Sequence, residues 1–556
     1  MRRFARLFHD LDATTRTAEK VRALVVYFSE APAEDAAVAL AMLSGKRQRR
    51  GVTTTLLRAW AAEAAGIPDW LLEESYAAVG DLAETIALVL PDAAVDAPSR
   101  GLAEMIAATI EPLAAADPAE KQRIVTATWQ QLHRDERVVW HKLITGGFRV
   151  GVARTLVARA LAEIAGVEPA TMAHRLMGLS AITAEDYQKL LDADAAVDDP
   201  TRPYPFFLAS PVDEAVASLG DVADWSAEWK WDGMRAQLIR RGDVRVLWTR
   251  GEELASDAFP ELIAAAEHLP EGCVLDGEVL AYDECELLGF AALSRRAGRR
   301  RVTAKVLREI PCVFVAYDLL EADGQDLREE PLHVRRARLA ALGLPAFEET
   351  ADRTEPTAPL DGVEEAPAPR LFFSPRVSAD SWEALAEARA TSRERGVEGL
   401  MLKRCESPYR VGRSRGDWWK WKVDPLEIDA VLLYAQAGHG RRASLHTDYT
   451  LGVWDGDLLV PAAKAYSGLT DAEIAEIDRI IRQTTRERHG PVRVVEPTLV
   501  FQLAFDGIAA SKRHKSGIAL RFPRIARWRR EKQPAEAGRL EDLRALLPPS
   551  QQAERP

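Results

Sequence analysis

Several short segments of this chain carry residue types that do chemistry on phosphates. Lys230-Trp231-Asp232-Gly233 sets a lysine at the end of a β-rich stretch. A lysine amine attacks only in its neutral form, which burial and nearby cations favour. Arg235 follows five residues later, and Arg250-Gly251 closes the next strand-like run. Leu275-Asp276-Gly277-Glu278 places two carboxylates at a strand end, and Tyr317-Asp318 follows the apolar run Val313 to Ala316. Glu398 stands just before Gly399-Leu400-Met401-Leu402-Lys403. In Trp419-Lys420-Trp421-Lys422 the two lysines share one strand face, because side chains alternate with a period of two. Each piece alone also reads as a turn or an exposed strand. In this order they suit one task. Fixed cations bind a triphosphate, carboxylates hold Mg²⁺ beside phosphates, an aromatic ring stacks on a purine, and a lysine near the phosphates attacks one.

The elements that must position these residues fall into three textures. Residues 1–200 are rich in Ala, Leu and Glu at helical spacing, as in Thr155–Ile164, and predict an all-α domain. Asp194 to Pro200 and Pro203-Tyr204-Pro205 break that pattern and mark a boundary. Residues 201–423 alternate short β-rich runs (236–239, 244–248, 273–276, 311–317) with helical stretches such as Phe259–His268, which predicts an α+β domain. The acidic, Pro-rich segment 348–369 reads as a surface loop or insertion. Residues 424–535 read as a small β domain whose size suits an OB-type barrel, with Asp455-Gly456 as a hairpin turn. Residues 536–556 read as a polar, frayed tail.

At 556 residues, the length suits three or four domains. A composition of 47% hydrophobic and 28% charged residues is that of a globular protein. No apolar run reaches the ~18 residues of a membrane span. The basic start Met1-Arg2-Arg3 leads into no apolar stretch of a signal peptide, so the cytoplasm is the expected compartment. The four cysteines, Cys273, Cys285, Cys312 and Cys405, form no C-x-x-C pair, which speaks against a zinc site or a disulfide framework. A net charge of −12 argues against nucleic acid as a partner, yet the basic residues are clumped. One run covers Arg295, Arg296, Arg299, Arg300, Arg301, Lys305 and Arg308; a second extends from Lys512 to Lys532 against the single acid Glu531. Either run is equally well a solvated face.

Taken together, the motifs resemble those of the ATP-dependent DNA ligases, within the covalent nucleotidyltransferases that include RNA ligases and capping enzymes. The resemblance covers almost the whole chain. It makes Lys230 the adenylated lysine and puts Glu228 at the adenine side. Arg235 and Arg250 match arginines near the ribose and phosphates. Glu278 matches a glutamate at the ribose or metal, with Asp276 its acidic neighbour. Tyr317 takes the place of the adenine-stacking aromatic, Glu398 that of a metal carboxylate, and Lys420 and Lys422 those of lysines at the α-phosphate. Relatives carry an arginine a fixed distance before those lysines. Here Arg413 and Arg415 straddle the position and Ser414 fills it, and Arg413 with a one-residue insertion is the preferred match. Arg521-Phe522-Pro523-Arg524, followed by Lys532, is similar to the motif that orients pyrophosphate during lysine adenylation. Upstream, residues 142–152 resemble the helical DNA-binding domain of cellular-type ligases, as do Leu11–Thr15 and Lys20. Lys142, Gly146, Gly147, Arg149 and Arg524 are then the expected DNA contacts, with the glycines letting backbone approach phosphates. More narrowly, the layout resembles that of a bacterial ligase associated with the DNA-damage response.

The resemblance implies ATP and Mg²⁺ as cofactors (Mn²⁺ standing in), nicked double-stranded DNA as partner, no membrane, and a monomer. It implies a ligase acting in DNA repair. An RNA ligase or capping-type enzyme shares the lysine motif but neither the helical N-terminus nor Arg-Phe-Pro-Arg. An NAD-dependent ligase would bring a zinc-type cysteine cluster. A catalytically dead nick-binding scaffold would have lost a motif, and none of the main ones is missing.

Overall fold

The computed structural model describes residues 1–547 apart from 45–49, 93–99, 149–150, 178–181, 193–198, 284–285, 300–301, 348–369, 439–444 and 491. Most of the expected boundary, the acidic Pro-rich segment, Arg149, Cys285, Arg300, Arg301 and the last residues of the tail lie outside the described residues.

The N-terminal part is helical, as its apolar spacing predicts. In chain order the helices are α1 (Arg2–Ala13), α2 (Thr17–Glu30), α3 (Ala33–Leu43), α4 (Thr54–Ala65), α5 (Asp69–Val79), α6 (Leu82–Val89), α7 (Leu102–Met105), α8 (Pro118–Gln131), α9 (Arg134–Ile144), α10 (Arg154–Ala165), α11 (Pro169–Leu176) and α12 (Ala184–Leu191). Their ends follow local chemistry. Asp81 caps α6 by accepting from Glu84 N at 3.1 Å, and Thr183 and Asp186 form a reciprocal capping box on α12. Gly66 and Gly166 end α4 and α10 in the left-handed conformation.

Backbone contacts divide the chain into two compact units. One comprises Met1–His9, Arg47–Val150 and Asp424–Pro556; the other comprises Asp10–Lys46 and Gly151–Val423.

The second unit holds two sheets. The smaller has the order β1 (Ser210–Pro211), β10 (Trp418–Lys422), β9 (Gly399–Arg404), β2 (Trp225–Trp229). The larger runs β4 (Val244–Thr249), β3 (Met234–Arg241), β5 (Cys273–Ala281), β6 (Cys312–Ala322), β7 (Gln325–Asp326), with β8 (Leu371–Phe373) also on β6. Besides α2, α3, α10, α11 and α12, the unit holds helices α13 (Pro260–Ala265), α14 (Gly289–Ala297), α15 (Ala304–Glu309), α16 (Leu332–Ala341) and α17 (Trp382–Ala390). Alternation along the strands gives each sheet two unlike faces. Leu238, Leu275 and Phe314 of the larger sheet pack with Phe259, Leu262, Leu293 and Leu339 from the helical side. Ala227, Leu400, Leu402 and Trp419 of the smaller sheet pack with Trp382 and Leu385 of α17. A third core, with Phe207, Ile239, Val274, Leu320, Tyr409 and Trp418, joins the inner faces of the two sheets.

The first unit carries β11 (Leu426–Ala437), β12 (His446–Asp455), β13 (Leu458–Ala465), β14 (Thr485–His489), β15 (Val492–Val495), β16 (Val500–Phe505), β17 (Gly507–Ala510), β18 (Ile518–Arg521) and β19 (Arg524–Trp528). The long β11 pairs with β12, β15 and β16, and β12 turns into β13 at Gly456, φ 60°. Two features depart from the sequence reading. A 14-residue helix, α18 (Asp471–Thr484), interrupts the strands, started by a Thr470–Glu473 capping box and burying Ile474, Ile477 and Ile481. The supposed tail forms α19 (Leu540–Ala545), because Leu540, Leu543 and Leu547 recur at helical spacing and bury against the strand core.

Candidate active site

The charged residues singled out in the sequence converge on the inner faces of the two sheets. On the smaller sheet, Met401 pairs with both Glu228 and Lys420, Lys403 with Ser226 and Trp418, and Gly399 with Lys422. Directly paired residues point to the same side. Glu228, Lys403, Lys420 and Lys422 therefore share one face with Met401 and Trp418, and Ala227, Leu400, Leu402 and Trp419 take the other. On the larger sheet Arg235 pairs with Glu278.

Lys230 follows β2, and its backbone is clamped to the strand opposite. Its N–H donates to Gly399 O, and its carbonyl accepts from Glu398 N, both at 2.8 Å. The Lys230 ammonium forms an ion pair with Glu398, and Lys422 Nζ reaches the same carboxylate oxygen at 3.2 Å. Two glycines make this approach possible. A Cβ on Gly399 (φ 134°) would stand 2.3 Å from Trp421 O, and one on Gly233 would stand 2.3 Å from Val279 O.

Around this pair lies positive field. Burial and the charges of Arg413, Lys422 and Lys230 lower the pKa of Lys420, while Glu398 opposes them. Among the two candidate arginines, Arg413 thus faces the lysines. Arg415 lies 3.8 Å from Asp213 and over the Trp419 ring, on the opposite side of the strand. Burial pushes the Glu278 carboxyl up to about 8, against Lys230, Arg235 and Arg250, which pull it down. Arg250 sits exposed past β4, its N–H bonded to Arg235 O at 2.9 Å.

Asp276 behaves differently from the expectation of a metal neighbour. It is fully buried and holds Arg235 in two hydrogen bonds, at 2.6 and 3.1 Å, while accepting from Tyr409 OH at 2.7 Å. Both its oxygens are committed to fixing Arg235, whose guanidinium also donates to Phe207 O at 2.6 Å. Such a bidentate pair is rigid. Tyr317 is placed by a break in register: Gly277 pairs with Ala316 and Asp276 with Asp318, so Tyr317 is the extra residue of a bulge. Bulges re-aim side chains beside active sites. The Tyr317 ring remains partly exposed.

Three residues not singled out belong to the same site. Lys403, 1% exposed, lies 3.1 Å from Glu228, and Arg336 of α16 lies 2.9 Å from it. The neighbouring Arg335 makes a buried two-point pair with Asp318, at 2.8 and 2.9 Å. For Lys403 a signal existed, since the strand period sets it on the face of Met401. Nothing local marks Arg335 and Arg336.

The remaining candidates lie in the first unit. Arg524 pairs with Asp506 at 2.8 Å, Lys532 and Arg529 share Asp429 at 2.5 and 3.1 Å, and the Arg521 guanidinium lies over the Phe522 ring. Lys142 is paired with Asp81 at 2.6 Å, and Gly146 and Gly147 form an exposed turn after α9. The first basic run is not one solvated face. Arg296 is fully buried, donating to Ala258 O and Ile310 O and pairing with Glu261.

A lysine with its backbone pinned, a carboxylate shared between cations and a ring presented by a bulge describe an enzyme acting on a nucleoside triphosphate. Comparison with known proteins narrows the class. The family model "ATP dependent DNA ligase domain" matches residues 206–422, "DNA ligase N terminus" matches 1–162, and "ATP dependent DNA ligase C terminal region" matches 442–532. The chain is 34% identical over 558 residues to the probable DNA ligase of Koribacter versatilis, covering 97% of this chain and 95% of that one. It is 26% identical over 567 residues to the DNA ligase of Thermococcus fumicolans, covering 98% and 97%. The solved structure Pmar-Lig_Pre shares the fold, with a TM-score of 0.59 at 14% identity over 95% of this chain and 99% of that one. The chain belongs to the ATP-dependent DNA ligases.

Proposed function

We propose that this ligase seals nicks in double-stranded DNA by carrying AMP on Lys230 from ATP to the nick. The observation that carries the reading is the meeting of Lys230, Glu398 and Lys422 in one cleft, with Lys420 and Arg413 adding positive field. In the first step Lys230 Nζ, having given up a proton, attacks the α-phosphorus. The bond to the bridging oxygen breaks and pyrophosphate leaves. Next, an oxygen of the 5′-phosphate at the nick attacks the same phosphorus, and the N–P bond breaks. Finally the 3′-hydroxyl oxygen attacks the 5′-phosphorus and AMP departs. Positioning and charge neutralisation account for most of such catalysis.

Among the described residues no three His, Cys, Asp or Glu side chains converge as a metal cage. Mg²⁺ is typically held by one or two carboxylates, with phosphate oxygens and water completing the shell. Glu278 and Glu398 fit that role, and Asp276 does not, being committed to Arg235. When bound, Mg²⁺ or Mn²⁺ neutralises phosphate charge. Tyr317 and Glu228 would meet the base, and Arg235 and Arg250 the ribose and phosphates.

The organisation we assign is a helical DNA-binding domain (1–200), an adenylation domain (201–423) and an OB-type domain (424–535) whose Arg521 and Lys532 orient pyrophosphate. Lys142, Gly146, Gly147, Arg149 and Arg524 would contact DNA. Among the described residues no helix is long and apolar enough to cross a membrane. We assign the protein to DNA repair in the cytoplasm, as a monomer.

The test is incubation with α-labelled ATP, GTP or NAD and Mg²⁺, followed by a denaturing gel, with Lys230→Ala alongside. Label from ATP alone, absent in the variant and chased off by nicked DNA as a joined strand appears, is the expected result. Label from GTP would move the reading to capping-type chemistry. No label, even after pyrophosphate pretreatment to strip bound AMP, would overturn it.

A further inference from the structure

One end of the cleft is built around a carboxylate held by two cations. Glu228 is buried, with Arg336 at 2.9 Å and Lys403 at 3.1 Å from the same oxygen. Lys403 Nζ also lies 4.3 Å from the centre of the Tyr317 ring and 4.6 Å from that of Trp418. Arg336 donates to the carbonyls of Tyr317 and Ser374 at 3.2 and 2.7 Å. The two cations thus tie together β2, the Tyr317 bulge and α16.

Glu228 lies two residues before Lys230, about 7 Å along an extended strand. Across β9 from β2, which carries Glu228 and leads into Lys230, lie Lys420 and Lys422 of β10 with Arg413 near them, a cluster that attracts phosphates. A nucleotide reacting at Lys230 therefore has its phosphates drawn to the lysines and its base toward Tyr317 and Glu228. Lys403 donates to the Glu228 carboxylate and Arg336 forms an ion pair with it, so Glu228 meets its partners as a hydrogen-bond acceptor.

We propose that Lys403 and Arg336 are positioning residues for base recognition, holding Glu228 as a fixed acceptor beside Tyr317. The cleft then favours a purine with a 6-amino donor over one with a 6-oxo acceptor. The inference rests on the reading of Lys230 given above. Lys403 touches no substrate in this scheme. It acts through Glu228 and Tyr317, so its loss should change which base is accepted more than how fast the phosphate reacts.

The experiment is single-turnover formation of the protein–nucleotide adduct by the full chain, with ATP, purine riboside triphosphate (which lacks the 6-amino group) and GTP. The wild-type chain should prefer ATP to both. In Lys403→Met the KM for ATP should rise about tenfold, and the preference for ATP over purine riboside triphosphate should shrink about as much, as expected when a charged hydrogen-bond partner is displaced. The maximal rate should hold within about twofold, as when only ground-state binding is lost. Arg336→Gln should shift the preference in the same direction, and Lys403→Arg should keep it. If both truncating variants lose use of the two nucleotides by one common factor, or lose only maximal rate, the proposal is overturned. Should Lys403→Met fail to fold by its melting curve, Arg336→Gln decides by the same ratio. A wild-type chain that labels without preferring ATP sinks this inference alone, whereas one that never labels sinks the reading of Lys230 and this with it.

Discussion

At the scale of single residues, Glu398 holds the centre of the site. Its carboxylate is shared by Lys230 and Lys422, and its backbone clamps that of Lys230. Glu398→Ala leaves the backbone clamp but removes the charge between two ammonium groups. Single-turnover labelling with ATP should slow by roughly 10²–10³-fold, the usual loss for a group stabilising charge in the transition state. The melting temperature should hold, because the backbone clamp between Lys230 and Glu398 stays in place. An unchanged rate would remove Glu398 from the chemistry. This residue was legible in the sequence because reactive groups keep a fixed spacing from the strands that present them. Arg335, Arg336 and Arg296 were not. A buried arginine and a solvated one look alike in sequence, and what buries them is a distant partner: Asp318, Glu228 and Glu261. Lys403 stood within a segment that was noticed, yet its carboxylate partner lies 175 residues away.

At the scale of elements, glycine decides how closely strands approach. Gly399 has φ 134° and backbone atoms where a Cβ would stand, so Gly399→Ala should destabilise the fold by about 2–4 kcal/mol, combining strain and overpacking. Gly456, at φ 60° with open space around it, is the control: Gly456→Ala should cost only about 1 kcal/mol. Denaturant unfolding of both variants measures the difference, and equal costs would refute the packing argument. Strands were readable from their alternation, and the hairpin at Gly456 from its turn residues. The helix α18 was missed although Thr470 and Glu473 spell a capping box, because the surrounding β-texture outweighed one local signal. The tail helix α19 was missed because its three leucines are spread among polar residues, and only the strand core they cover makes them apolar anchors.

At the scale of the whole molecule, a chain of net charge −12 serves a polyanion. Many of its cations already hold carboxylates, as Lys142 holds Asp81 and Arg524 holds Asp506. If these cations meet DNA as proposed, the duplex competes with those carboxylates. Binding to nicked duplex should weaken as salt rises, with log K linear in log salt and a slope near −0.9 for each phosphate neutralised. A flat dependence would refute phosphate neutralisation as the source of affinity. The three textures of the sequence marked where helices give way to sheets. They gave no sign that the N-terminal helices are shared between two compact units, since that depends on contacts between remote segments.

The strands that carry the charged face are also crowded with indoles. Of the chain's 14 tryptophans, Trp225, Trp229, Trp231, Trp418, Trp419 and Trp421 lie on or beside β2 and β10, and Trp418 touches the Lys403 ammonium. The site therefore carries its own optical reporter. Through quenching of their fluorescence, these indoles can signal nucleotide arrival without a label. In rapid mixing, Lys230→Ala would keep the binding phase and lose the slower bond-forming one, so arrival and chemistry become separate events in a single trace.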